Sequence, residues 1–116
     1  MKFYLDDKLV RTSKTHVYTC ALVTESGSVL SCHGSFEQAL KAKNQLLAKI
    51  RQNRENVEAA IRAIDAGQTT YWCRYGRDTW KAKVTEPREY YADYVAELTA
   101  HEARGAGLDI RKLETR

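Results

Sequence analysis

The sequence predicts an α+β fold in the order ββ-ββ-α-ββ-α-β: a mainly antiparallel sheet of short hairpins, with a long and a shorter amphipathic helix packed on one face. Three observations carry that expectation. Segments rich in β-branched and aromatic residues recur in pairs around turn-forming residues, most plainly in 69–84. Apolar residues at helical spacing form one stripe from Phe36 to Ile64. A second helical pattern follows Pro87. At 116 residues the chain buries roughly two-thirds of its unfolded surface, so a single domain over 1–116 is expected to fold without a staple.

In chain order, Phe3, Tyr4 and Leu5, then Leu9, Val10 and Arg11, flank the polar turn residues Asp6, Asp7 and Lys8, the pattern of a short hairpin. Residues 17–24 and 29–33 form a second hairpin around Glu25, Ser26, Gly27 and Ser28. Ser35 with Gln38 three positions on is a capping box that opens a helix at Phe36. Its apolar positions recur at multiples of seven, Phe36, Ile50, Val57, Ile64 and Leu40, Leu47, Ile61, with Lys43 and Arg54 as interruptions. Gly67 is a left-handed terminator, which allows a helix of about 45 Å unless residues 53–56 break it. In 69–84, Gly76, Arg77 and Asp78 supply the turn between two alternating strands. Tyr91, Tyr94, Val95 and Leu98 then mark a shorter helix, with Glu86 and Glu89 at the end its dipole favours. Leu108 to Leu113 begins with alternation and reads as a last strand.

The composition, 43% hydrophobic and 29% charged, is that of an ordinary soluble globule. Nothing resembles a membrane span, a secretory leader or a low-complexity tract, and no membrane partner is expected. An odd set of cysteines, Cys20, Cys32 and Cys73, argues against a secreted disulfide framework and for reduced thiols in a cytoplasmic protein. Charge is unevenly placed: 67–85 holds four basic residues and one acidic, 86–104 two basic and five acidic. Such polarity steers an anionic partner to the hairpin end.

Two candidate binding regions follow. Trp72, Arg74, Tyr75, Arg77, Trp80, Lys81 and Lys83 combine rings on which bases stack with cations that meet phosphates. The competing structural reading puts both tryptophans in the core and the cations on a wet outer face. Arg11, Thr12, Ser13, Lys14, Thr15 and His16 place hydroxyls, cations and backbone amides in one short loop that is able to cradle a phosphate, although it lacks P-loop glycines. Metal chemistry is not expected, since among His16, Cys20, Cys32, His33 and Cys73 only Cys32 and His33 are close, and adjacent strand residues point oppositely. No family signature surrounds any cysteine, and the carboxylate pairs Glu55 with Glu58 and Asp93 with Glu97 read as solvated helix faces. No catalytic residue, cofactor or metal is therefore assigned.

Taken together, a small α+β chain with this hairpin resembles the accessory proteins of bacteriophages and other mobile elements, including counter-defence proteins. The resemblance implies one of two activities: sequestering a cyclic-nucleotide signal, or docking on a host protein or nucleoprotein complex. The rings and cations of 69–84 fit the first. The expectation is a non-enzymatic binder of a small phosphate-bearing ligand, with a protein-interaction module as the alternative and direct nucleic-acid binding as a third class. The helix at 36–66 adds an expected twofold homo-oligomer, because strands of about five residues cover only 17–20 Å of it and leave Val57, Ile61 and Ile64 exposed.

Overall fold

The computed structural model describes all 116 residues. It has eight strands and two helices: β1 (Lys2–Leu5), β2 (Lys8–Thr12), β3 (Cys20–Val23), β4 (Val29–His33), α1 (Phe36–Asp65), β5 (Thr70–Tyr75), β6 (Asp78–Lys83), α2 (Arg88–Ala106), β7 (Asp109–Lys112) and β8 (Glu114–Thr115). The class is α+β, and every strand pairing is antiparallel. The pairing is divided among three sheets, ordered β2-β1-β8, β4-β3-β7 and β5-β6. The chain forms two compact units, Met1–Leu46 with Arg104–Arg116, and Leu47–Ala103.

The first unit is built on β3. All four of its residues are buried: Cys20 and Leu22 pack with Ala39 and Ala42 of α1, while Ala21 and Val23 pack with Leu5 and Val10 of the first hairpin. A strand covered on both faces needs a continuous apolar run, and Cys-Ala-Leu-Val is one. The strand is shorter than the expected 17–24. Tyr18 leaves the ladder to lie edge-on against Phe3, ring centroids 5.3 Å apart. The first turn holds Asp6 and Asp7 at φ 49° and 64°, the left-handed pair that a two-residue hairpin requires. At the C-terminus the single expected strand divides, because the Leu113 amide donates to the Thr19 carbonyl and the chain then turns to pair β8 with β1.

The second unit is organised around the distal half of α1. Here α1 is unbroken through residues 53–56. Val57 and Ala60 are buried against Tyr91 and Leu98 of α2, and Ile61, Ile64, Tyr71, Val84, Tyr94 and Val95 close around them. Of the overhang residues, Val57 is covered within the chain, retaining 8% of its exposure, while Ile61 and Ile64 are partly buried. The Tyr91 hydroxyl accepts from the Thr85 amide at 3.1 Å, so this tyrosine fills the core with its ring and satisfies a loop amide with its oxygen. Arg54 bridges Glu58 and Glu102, with Arg51 also on Glu102, and Arg88 meets Asp65.

Helix α1 ends as Gly67 predicts. The Gln68 amide donates to Ala63 O and the Gly67 amide to Ile64 O, with Gly67 at φ 71°, a Schellman closure. No atom lies within 4 Å of where a Cβ would stand on Gly67. Gly67→Ala therefore isolates the left-handed penalty, and thermal melting should show a loss of about 1–2 kcal/mol.

Candidate functional site

The ribbon of β5 and β6 is anchored to α1 through its backbone. The Arg74 amide donates to Asn56 Oδ1 at 2.9 Å, and Asn56 Nδ2 donates back to the Arg74 carbonyl at 2.8 Å. The Gly76 amide donates to Gln52 Oε1 at 3.1 Å. One helix face thus substitutes for a third strand along the outer edge of β5. Since both polar groups of Arg74 point away from β6, alternation points those of Trp72 away as well. Trp72 and its partner Lys81 are consequently a non-hydrogen-bonded pair, the kind whose side chains stand closest. Lys81 Nζ indeed lies over the Trp72 ring, 5.5 Å from its centroid.

The register separates the candidate residues. Thr70 pairs with Lys83, Trp72 with Lys81 and Arg74 with Thr79, so Trp72, Arg74, Lys81 and Lys83 share one face. That face is open: Trp72 keeps 61% of its exposure. Cys73 pairs with Trp80 and Tyr75 with Asp78, which puts Trp80 and Tyr75 on the opposite face with Tyr71 and Cys73. Arg77 sits in the turn. The two tryptophans therefore do not act together, and neither is a core residue. Core duty falls to Cys73 and Tyr71. Burial pushes the Cys73 thiol above its ordinary range, and desolvation, with Cys73 and Tyr91 adjoining, pushes the Tyr71 phenol up to about 12.

Beside the open face runs a groove of about 820 Å³, walled by the end of α1 and the start of β5. Ala59, Arg62, Ala63 and Ala66 at the end of α1, with Gly67, line the helix side, and Tyr71 and Trp72 with Lys81 line the ribbon side. Gln68, Thr69 and Thr70 add polar groups at its end. Arg51, Arg54, Arg88, Arg111 and Arg116 are each paired with a carboxylate. Arg62, Arg74, Arg77, Lys81 and Lys83 enter no ion pair. The groove is thus flanked by cations whose charge is not neutralised within the chain.

The Arg11–His16 segment, the second expected binding region, belongs to the first unit and is internally hydrogen-bonded. Ser13 Oγ accepts from the Thr15 amide at 3.3 Å and from the His16 amide at 2.9 Å, so two amides of the loop are already satisfied. Thr15 Oγ1 meets His16 Nδ1 at 3.1 Å. The Met1 ammonium donates to Ser13 O at 2.7 Å. Arg11 lies over the Tyr18 ring at 4.7 Å, and His16 stacks on the same tyrosine. Arg11 and Thr12 lie in β2, and Thr12 and Lys14 are exposed. These side chains close the connection between hairpins around Tyr18.

All three cysteines are free thiols. Cys32, partly exposed, is raised by burial against the lesser opposing pull of Arg11. No three His, Cys, Asp or Glu side chains gather in a metal-binding group. No helix is long and apolar enough to cross a membrane. No protein-family model, curated protein or solved structure matches the chain.

Arg62 and the alanines of the groove were not singled out by sequence. Their signal was present only indirectly. A helix that stops at Gly67 and a strand that starts at Thr70 leave a tight connection, which must bring the last helical turns beside the first strand residues.

Proposed function

We propose that this chain is a non-enzymatic binding protein that sequesters a small phosphate-bearing ligand of the nucleotide class in the groove between α1 and β5. The observation that carries the reading is the open Trp72 ring, paired with Lys81, at a groove whose other wall supplies the unneutralised Arg62. A ring of this kind takes a base by stacking, and the two cations meet phosphate oxygens. The small side chains of the helix side let a flat ring approach the helix backbone, and the volume lies in the range of ordinary ligand sites. No carboxylate lines the groove, so a bound anion meets no like charge there.

Thermal-shift measurement against a panel of nucleotides tests this directly. A ligand that binds only the folded state adds about 2.7 kcal/mol at one hundred times its dissociation constant, a shift of several degrees. Absence of any shift across the panel at millimolar concentration would overturn the reading. A second reading, docking on a host protein, is favoured by Phe36 and Leu40, one helical turn apart on α1 and both exposed.

A further inference from the structure

We infer that the ligand is a short single strand of nucleic acid rather than a free nucleotide, an inference that rests on the groove being a phosphate-ligand site. The open face of the ribbon carries cations in three successive rows: Lys83 opposite Thr70, Lys81 opposite Trp72, and Arg74 opposite Thr79. Rows on one face of a strand repeat at about 7 Å, since alternate residues share the face. Trp72, Lys81 and Thr70 border the groove, whereas the cations Arg74 and Lys83 of the outer rows do not line it. Arg74 and Lys83 lie beyond it on either side, exposed and unpaired with any carboxylate.

A mononucleotide held beside Trp72 in the groove uses Lys81 and Arg62 and leaves the cations Arg74 and Lys83 idle. A strand whose backbone follows the ribbon brings a phosphate to each row while its central base occupies the groove. Thr70 and Thr79 add hydroxyls to the outer rows, suited to phosphate or sugar oxygens. The strand must be single, because the ring of Trp72 takes a base face, and a duplex keeps its base faces stacked on one another. Asn56 and Gln52 hold the ribbon to α1, so the rows keep their spacing without the ligand.

The test is a titration with fluorescein-labelled oligothymidylates, from thymidine monophosphate up to the 4–16 nucleotides that a small single-strand-binding fold covers. Affinity should rise at least tenfold between the monophosphate and the tetranucleotide, then level off. With three phosphates neutralised, the logarithm of affinity should fall against that of salt with a slope of about −2, and Lys83→Ala or Arg74→Ala should each flatten it by about 0.7. Both substitutions are of exposed residues, and an unchanged melting temperature confirms that the ribbon persists. Equal affinity for monophosphate and oligomers, with no effect of either substitution, would overturn the strand while leaving the nucleotide reading intact. Equal binding of a duplex of the same length would also overturn it. Failure of both monophosphate and oligomers to bind would remove the groove reading itself.

Discussion

Trp72→Ala is expected to weaken ligand binding by about 5- to 150-fold, the equivalent of the 1–3 kcal/mol that one base–ring stack contributes. The fold should survive, because Trp72 faces solvent on the open side of the ribbon and its main partner is the Lys81 ammonium. Trp80→Ala is the matched control. It removes the same side chain from the neighbouring strand but from the opposite face, where Trp80 stands across from Cys73. Its effect should appear in the melting temperature and not in affinity. Isothermal titration of both variants decides the matter: if Trp80→Ala weakens binding and Trp72→Ala does not, the platform has been placed on the wrong face.

Phe3→Ala should be the most damaging single change to stability, at about 3–5 kcal/mol. Phe3 is completely buried and is one of the two largest such side chains in the chain. Its removal leaves a cavity beneath Tyr18, which loses its edge-to-face partner. Tyr18 in turn supports Arg11 and His16, so the connection between the first two hairpins should loosen with it. Against a total stability of roughly 5–15 kcal/mol this is a large fraction, and the melting transition should fall by more than about 10 °C. Denaturant unfolding measures it. A loss below about 1 kcal/mol would mean that neighbouring side chains collapse into the vacated space.

The elements were legible because each rests on local physics. The capping box at Ser35, where the Gln38 amide donates to Ser35 Oγ at 3.1 Å, and the closure at Gly67 bracket α1 as residue chemistry alone requires. Alternation in 69–84 likewise specified two strands and the turn at Gly76. The residues of the open face, one ring with cations around it, were also present in the letters. What the letters left open was whether Trp72 was core or platform, since alternation assigns residues to two faces without saying which is covered.

The sequence by itself determined the α+β class, both helices and the three hairpins, whereas the register that sets Trp72 opposite Lys81 came from the structure. Each of those elements depends on neighbours in the chain or on a short turn. Tertiary structure alone decided which face of the ribbon is open, because that depends on Tyr71 packing against the core shared by α1 and α2 and on Cys73 being buried. It also decided that Val57 is buried against Tyr91 and Leu98 of α2, with Ile61 and Ile64 packed around them and partly buried. In the same way it brought Arg62 and Lys81 to the lining of one groove and engaged the Thr15 and His16 amides with Ser13 Oγ. Apolar periodicity says that a stripe must be buried. Which surface buries it is set by packing between segments distant in sequence, and no local pattern encodes that choice.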